Sequence, residues 1–568
     1  MRKCRLVILS LFLFLLFLPG AFGQEQDKLL QLLKQELAYD MKELQKQEFP
    51  PYHMNFRVLD DRNVNISSSF GATMSVQDYR TRMLVPQIRL GDTLLDNFKY
   101  NYMGTAPDQR RNYRGSLLPL EDENGEDGIK QAIWSEVIKR YNFALDMYEK
   151  AKTQSTVSVD NEDKAPCFSS TPVEKYYEAP IPAEKQAIDV KAWEKRLNEV
   201  SSIFKESSLL QEGQASLSFR VLRTYFVNTE GTEVVQNRTY ARIIISASMK
   251  AEDGMDLPLN LSYFAYELKD LPSNERLIAD AKDMVKRLNI LRTAPVVDPY
   301  TGPAILSGPA SGVFFHEIFG HRLEGHRMKS GGQTFKKMVG EQVLPVDFQV
   351  YSDPTLRQYA GDYMNGFYLY DDEGVKARRV DVVTNGVLKE FLMSRVPLEG
   401  FPHSNAHGRT AGGGDPVSRQ ANLVVETTNP RTEAQLRQML IEEAKKQGKE
   451  YGYYFKEVTS GFTYTGEGGS LNSFNVTPLE VYRVYVDGRP DELVRGVDLI
   501  GTPLSMFSNI VAGGDRPSVF TGMCGAESGW VPVTASSPMI FVNKIETQRR
   551  EKSRQLPPIL QAPSENKK

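Results

Sequence analysis

The chain has 568 residues, of which 40% are hydrophobic and 25% are charged. This is the composition of a globular protein that is long enough to form two or three hydrophobic cores, and it excludes a largely disordered chain. The 69 basic and 72 acidic side chains give a formal net charge of -3. A charge this small excludes a global electrostatic field that would attract nucleic acid or an anionic membrane.

The first residues have the order of regions that is typical of a secretory signal peptide. Three basic residues within the first five positions precede an apolar run from Leu6 to Leu18, and small residues up to Gly23 follow. We therefore predict a signal peptide over residues 1–23 and an exported protein, periplasmic or secreted, with no transmembrane segment after cleavage. An uncleaved membrane anchor is the alternative, although the apolar run is shorter than the roughly 20 residues that span a bilayer.

Residues 24–300 are predicted to form an α+β domain, in which helices flank an antiparallel sheet. Apolar residues recur at helical spacing from Leu29 to Leu44 and again from Ile133 to Tyr148. Residues 214–267 have the pattern of strands, and a helix that Ser273 could cap follows them. Helices beside hairpin-connected strands indicate the α+β class.

Residues 301–550 are predicted to form a mostly β, barrel-like domain. Strand patterns dominate it, with hairpin turns at Asn385-Gly386 and Asp487-Gly488. One helix is predicted from Thr432 to Lys446. A stretch dense in Pro, Gly and Ala marks the boundary with the first domain, and residues 551–568 are predicted to be a loose polar tail.

Three of the six histidines fall within eleven residues, in the segment His316-Glu317-Ile318-Phe319-Gly320-His321-Arg322-Leu323-Glu324-Gly325-His326. Two imidazoles with an adjacent carboxylate are typical of zinc peptidase sites, where the carboxylate accepts a proton from the attacking water. The spacing here is HExxxH, however, and residues five apart differ by about 140° around an α-helix. We therefore predict a π-bulge or an equivalent irregularity that lets His316 and His321 reach one ion. The alternative is a pair of partly buried histidines without a ligand.

Two cysteines, Cys167 and Cys524, follow the predicted signal peptide. They could form a disulfide bridge in an exported protein, and their spacing alone favours that bridge. A catalytic zinc site usually has three protein ligands and one open position, so two imidazoles do not complete one.

The histidine segment resembles that of the TldD/PmbA metallopeptidase family, in which the TldD-type members carry HExxxH. Further segments resemble the family in the same order, among them Asp371-Asp372-Glu373-Gly374-Val375, Gly466–Ser470 and Met523-Cys524-Gly525. The resemblance implies a two-domain zinc peptidase with its active site in a cleft or tunnel of the C-terminal domain. It also implies that His316, His321 and Cys524 hold the zinc and that Glu317 is the general base.

Other polar residues are candidates for supporting roles. Glu324 could orient an imidazole of the zinc site or be a surface carboxylate, and His326 is the rival of Cys524 as the third ligand. A glycine loop at Gly412–Gly414 is flanked by four further candidates, which are His403, His407, Arg409 and Arg419. These four residues could line a substrate channel or belong to a solvated loop, and we prefer the solvated loop.

The predicted function is that of an exported zinc metallopeptidase, which hydrolyses peptide bonds in small or unfolded peptides. The resemblance implies a homodimer or a heterodimer with a PmbA-like subunit, and nothing in the sequence indicates nucleic acid binding. Familiar members of the family are cytoplasmic, so the predicted export argues against a cytoplasmic partner. The alternatives are a zinc-stabilised peptide-binding protein and a structural envelope protein, neither of which turns over a substrate.

Overall fold

A computed structural model describes residues 27–99, 115–121, 125–155, 163–330, 335–463 and 474–550. The predicted signal peptide, the predicted polar tail and the family-like segment Gly466–Ser470 lie outside these residues. Within the described ranges, no helix is both long enough and apolar enough to cross a membrane.

The N-terminal half is built on a seven-stranded sheet in the order β3-β2-β1-β5-β6-β4, with β7 beside β6. Its strands are β1 (Pro51–Ser69), β2 (Ala72–Leu90), β3 (Ser116–Leu117), β4 (Lys175–Tyr177), β5 (Leu210–Asn228), β6 (Glu233–Lys250) and β7 (Asp256–Ala265). Every pairing is antiparallel except that of β4 with β6. Four of these strands have 18 or 19 residues each, namely β1, β2, β5 and β6. The hairpins that they form are therefore longer than the alternation of apolar residues in the sequence indicates.

Two hydrophobic cores occupy opposite ends of these long strands. The helices are α1 (Lys28–Leu44), α2 (Glu126–Ser155), α3 (Ala183–Gln186), α4 (Val190–Ser202) and α5 (Asn274–Thr293). Buried residues of α1 and α2 pack on β1, β2 and β5 in one core, and buried residues of α4 and α5 pack on β5, β6 and β7 in the other. The Ser273 hydroxyl accepts a hydrogen bond from Arg276 N at 3.3 Å and caps α5, as the sequence predicts.

The C-terminal half is built on an eleven-stranded sheet, part of which closes into a barrel. Its strands are β8 (Tyr300–Leu306), β9 (Phe348–Ser352), β12 (Val380–Thr384), β13 (Val387–Leu388), β16 (Asn422–Thr427), β17 (Tyr451–Thr463), β18 (Phe474–Tyr485), β19 (Glu492–Val494), β20 (Val497–Gly501), β21 (Ile510–Ala526) and β22 (Gly529–Arg549). The strands β8, β17, β18, β20 and β22 form a closed ring, because β22 pairs with β8 as well as with β20. The α+β fold with a largely β, barrel-like second half is therefore confirmed.

Four short strands complete this half in two small hairpins. They are β10 (Gln358–Tyr359) with β11 (Asp362–Tyr363), and β14 (Gly408–Arg409) with β15 (Val417–Ser418). The division of the chain at residue 300 stays a prediction, and polar contacts cross it. Arg395, which is buried, donates to Glu230 at 2.6 and 2.8 Å, and Arg57 donates to the carbonyl oxygens of Gly412 and Gly414 at 3.1 and 2.8 Å.

The helix of the histidine motif is α6 (Gly308–Ile318), which packs against β17, β21 and β22. The other helices of this half are α7 (Glu433–Lys446) and α8 (Pro503–Phe507). Phenylalanines from the motif segment gather around Phe507 of α8, with ring centroids 4.8 Å away for Phe319 and 5.5 Å away for Phe315. This aromatic packing fixes α6 inside the core and so positions its last residues.

Replacing Phe507 by Ala should lower the free energy of unfolding by about 3–5 kcal/mol, because it removes a buried ring and leaves a cavity beside the motif helix. Leu504 of the same helix is 42% exposed, and Leu504→Ala should change that free energy by less than about 0.5 kcal/mol. Urea denaturation of the metal-free variants measures both values. Equal effects of the two substitutions would show that the aromatic cluster does not stabilise this region.

Candidate metal centre

The α-helix of the histidine motif ends between the two histidines. The helix α6 stops at Ile318, and a 3-10 turn from Gly320 to Arg322 follows it. Arg322 is fully buried, and its Nη1 donates to the carbonyl oxygens of Glu317 and Ile318, each at 3.0 Å. These bonds satisfy carbonyl groups that the ending helix leaves unpaired. The irregularity that HExxxH requires is therefore present, as a break to a 3-10 turn instead of a π-bulge.

Gly320 leaves room for a neighbouring side chain at this break. A Cβ atom at position 320 would lie 1.8 Å from Oε1 of Gln420, so any other residue would displace Gln420. Nε2 of Gln420 in turn donates a hydrogen bond to the carbonyl oxygen of His316 at 3.3 Å. The glycine is thus needed for close packing.

The break brings the two motif imidazoles and a distant thiol together. The ring centroids of His316 and His321 are 5.0 Å apart, and Nε2 of His321 is 3.3 Å from Sγ of Cys524. One possible ligand atom from each of these three residues lies within 4.8 Å of the other two. His316 is half-buried, whereas the other two residues are buried. One metal ion could therefore contact all three residues.

Cys524 reaches the histidines because it lies in the long β21–β22 hairpin. It pairs with Val531 three positions before the strand turns. Arg419 is fully buried and holds this turn, since its guanidinium donates to Cys524 O at 2.7 Å and to Gly529 O at 3.0 Å. The same guanidinium lies 3.2 Å from Sγ of Cys524. The arginine thus fixes the position of the thiol and places a positive charge next to it.

The electrostatic surroundings favour a thiolate. Burial alone would raise the pKa of the Cys524 thiol, but the positive charges of His321, His316 and Arg419 hold that pKa well below its usual value. Burial would likewise lower the pKa of His321, but Cys524 and Glu324 raise it to about 10. Both pKa shifts act in the direction of a thiolate–imidazolium pair when no metal is bound.

Glu324 supports the opposite side of His321. It is fully buried, and its Oε2 lies 3.1 Å from Nδ1 of His321. Arg327 donates to the same oxygen at 2.7 Å, and Arg419 lies 3.4 Å from the other oxygen. Burial would raise the pKa of the Glu324 carboxyl, but these cations hold it well below its usual range. The interpretation of Glu324 as a surface carboxylate is therefore wrong, and its contact with Nδ1 leaves Nε2 of His321 for a ligand.

Glu317 lies beside the three candidate ligands. Its carboxylate is buried, and Oε2 is 4.0 Å from Nε2 of His321. Burial raises the pKa of this carboxyl, although the neighbouring His316 and His321 act to lower it. A Cβ atom at position 461 would lie 2.5 Å from Cγ of Glu317, so Gly461 of β17 provides the space for this side chain. Sequence reasoning did not identify Gly461, although Gly in a strand often indicates such a close approach.

His326 lies outside the cluster of possible ligands. Its Nε2 bonds to Glu527, which also accepts a hydrogen bond from Arg327 at 2.8 Å. Glu527 and Arg327 extend the buried charge network of Glu324, and sequence reasoning identified neither of them. The sequence could have indicated both residues, because each is a charged residue within three positions of a candidate site residue.

The solvated-loop interpretation is wrong for three of the four residues near the glycine loop. His403 is exposed, but His407, Arg409 and Arg419 are buried. Nε2 of His407 lies 2.8 Å from the Ser352 hydroxyl, and burial lowers the pKa of this histidine to about 3. Arg409 donates to the carbonyl oxygens of Gln420 and Pro532. These side chains were misassigned because buried backbone carbonyls satisfy them, which a sequence does not show.

The donor set fits zinc. Imidazole nitrogen and cysteine thiolate are its usual ligands, and three protein ligands leave a position open for catalysis. The bridge between Cys167 and Cys524 is not formed, and Cys167 instead donates its thiol to Leu94 O at 3.4 Å. Cys524 is therefore available as a ligand.

Comparisons with known proteins indicate a metallopeptidase family. Residues 299–549 match the family model of the PmbA/TldA metallopeptidase C-terminal domain. A metalloprotease of Archaeoglobus fulgidus is 30% identical over 238 residues, which are 42% of this chain and 51% of that protein. A zinc metalloprotease TldD homolog of Saccharolobus solfataricus is 22% identical over 368 residues, which are 62% of this chain and 76% of that protein. The chain thus aligns with about half the length of the first relative.

A solved structure has the same fold over most of the chain. TldE from Thermococcus kodakarensis superposes with a TM-score of 0.60 and 14% identity, covering 91% of this chain and 100% of that one. At this level of identity the likeness concerns the fold.

Replacing Glu324 by Gln should weaken zinc binding by about 10- to 100-fold, because His321 loses the charged partner that orients its ring. The exposed Glu341 provides the control, and Glu341→Gln should leave the affinity unchanged. Competition with a zinc chelator measures all three affinities. Equal affinities of the wild type and Glu324→Gln would contradict a positioning role of Glu324.

Proposed function

Because residues 299–549 make this chain a member of the TldD/PmbA metallopeptidase family, we propose that it is an exported zinc metallopeptidase that hydrolyses peptide bonds in small or unfolded peptides. The observation that carries the proposal is the convergence of His316, His321 and Cys524, with Glu317 alongside. The residues of this chain that would hold the zinc are these two histidines and the cysteine. When zinc is bound in such a site, it lowers the pKa of water and polarises the scissile carbonyl.

Glu317 is the general base in this proposal. Its carboxylate accepts a proton from the attacking water and passes it to the leaving amine. The raised pKa of this carboxyl brings it closer to neutral pH, where a group that first accepts and then donates a proton works best. Glu324 and Arg419 act by fixing His321 and Cys524.

An extended peptide would reach this site along β17. The residues from Glu457 to Thr463 pair with β18 on one edge, and among the described strands none pairs with their other edge beyond the contact of β8 at 453–455. Gly461 of this segment is the residue that packs against Glu317. Addition of the peptide to this edge would supply main-chain hydrogen bonds with little dependence on the substrate sequence.

The proposed assembly is a homodimer or a heterodimer with a PmbA-like subunit. The common fold with TldE supports such a pairing, since two subunits of one fold can associate through equivalent surfaces. This chain carries the HExxxH segment and is the catalytic subunit in the proposal.

Replacing Glu317 by Gln should leave one zinc per chain and reduce hydrolysis of a denatured protein by about 10²- to 10⁴-fold, since the amide does not accept the proton. Metal analysis and a cleavage assay with and without a chelator measure the two effects. Glu341→Gln is again the matched control and should remain active. Zinc binding without any cleavage by the wild type would instead support the peptide-binding alternative, and absence of zinc would support the structural one.

Export is a separate part of the proposal. The basic start and the apolar run from Leu6 to Leu18 support it. We expect the mature protein to begin after Gly23, as measured by the intact mass of the protein from the exported fraction. A full-length mass for protein that stays in the cytoplasm would contradict export and leave the peptidase proposal unaffected.

A further inference from the structure

A cavity of about 150 Å³ lies between the N-terminal sheet and the C-terminal half. Aromatic side chains of both halves form its walls, among them Tyr240 and Phe264 from the N-terminal sheet and Phe367 and Trp530 from the C-terminal half. A cavity of this volume in a protein core can hold a ring the size of benzene. The cavity is therefore large enough for one aromatic group.

The polar part of the lining is dominated by guanidinium groups. Arg220, Arg238 and Arg409 line the cavity together with one carboxylate, that of Asp372. Arg220 is already neutralised, since it donates to Asp61 at 2.6 Å and to the Tyr240 hydroxyl at 2.8 Å. Arg238 and Arg409 thus remain against the single negative charge of Asp372, which leaves one positive charge in excess.

Arg238 has no anionic partner in the part of the chain that the structure describes. Its Nε is buried and lacks a hydrogen-bond partner, and no described carboxylate forms an ion pair with the guanidinium, which lies 5.7 Å from the centroid of the Tyr368 ring. A buried guanidinium nitrogen without an acceptor costs free energy, so such a group usually has a ligand or a counter-ion.

Arg409 adds a buried charge close to the partly exposed Arg238. Its guanidinium donates hydrogen bonds to the carbonyl oxygens of Gln420 and Pro532. Burial, with the repulsion from Arg238 among the further causes, lowers the pKa of Arg409 to about 10. Two neighbouring cations that share one carboxylate, that of Asp372, attract a ligand that carries a negative charge.

The cavity and the candidate metal centre lie on opposite faces of the β21–β22 hairpin, because Pro532, which lines the cavity, alternates with Val531, the partner of Cys524. Nη2 of Arg409 donates at 2.8 Å to Pro532 O, and Pro532 pairs in the β21–β22 hairpin with Met523, which directly precedes Cys524. A peptide held in the cavity at one end would therefore lie next to the hairpin that carries Cys524.

We propose that this cavity binds a carboxylate of the peptide substrate together with an adjacent aromatic side chain, and that Arg238 is the residue that recognises the carboxylate. This inference rests on the proposed peptidase function. A C-terminal carboxylate and an acidic side chain share the required chemistry, and bidentate pairing with a guanidinium suits both.

The test compares three small probes by calorimetry on the zinc-loaded, full-length Glu317→Gln protein, which keeps hydrolysis out of the measurement. N-acetyl-phenylalanine carries a terminal carboxylate, its amide lacks one, and N-acetyl-aspartyl-phenylalanine amide carries the charge on a side chain. We expect the first or the third probe to bind at least about tenfold more tightly than the neutral amide. The stronger of these two identifies the source of the carboxylate.

Adding Arg238→Gln to this protein should lower the affinity for the charged probe by about tenfold or more, which removes its preference over the neutral amide. Arg276→Gln is the matched control, because Arg276 lies on the exposed surface of α5 and pairs with Asp280, and it should keep the preference. The thermal midpoint of unliganded Arg238→Gln should equal or exceed that of its parent, since Nε of Arg238 has no partner to lose. Equal binding of the acids and the amide, or a preference that survives Arg238→Gln, would overturn the proposal. No probe needs to be cleaved in this binding test. A wild-type protein without peptidase activity would therefore overturn the proposed function but would not change the outcome of the binding test.

Discussion

The whole candidate site depends on one buried chain of alternating charges. Cys524 contacts His321, His321 contacts Glu324, and Glu324 lies between Arg327 and Arg419. Each of these groups is removed from water, where an isolated charge would be very costly. The charges are tolerated because every one of them has a partner of opposite sign within hydrogen-bond or ion-pair distance. A metal cation placed between the imidazoles and the thiolate would take the place of the proton on Nε2 of His321, because an imidazole binds a metal in its neutral form.

The fold builds this chain of charges from separate pieces that the core holds rigidly. The phenylalanine packing around Phe507 fixes the end of α6, and Arg322 ends that helix where HExxxH needs a break. The β21–β22 hairpin brings Cys524 to the site, and Arg419 locks its turn. Gly320 and Gly461 leave the space that Gln420 and Glu317 occupy. Such support from packed neighbours is what keeps ligand atoms in place before a metal binds.

Local signals in the sequence predicted the features that depend on local physics. The cap of α5, the apolar stripe of α1 and the break within HExxxH follow from spacing and residue type alone. The hairpin β1–β2 is longer than its apolar alternation indicates, because polar pairs interrupt that alternation, such as Arg80 with Asp60 at 2.6 Å. The burial of Arg419 and Glu324 was not predictable, since it depends on partners about a hundred positions away in the chain. Cys524 was found through a family resemblance, because spacing alone favoured a disulfide.

The central claim is that one zinc ion is held by two imidazoles and one thiolate. X-ray absorption at the zinc edge of the metal-loaded protein tests this claim directly. The account expects one sulfur at about 2.3 Å and nitrogens at about 2.0–2.1 Å, with the sulfur signal lost in Cys524→Ser. A shell of nitrogen and oxygen alone in the wild type would contradict it.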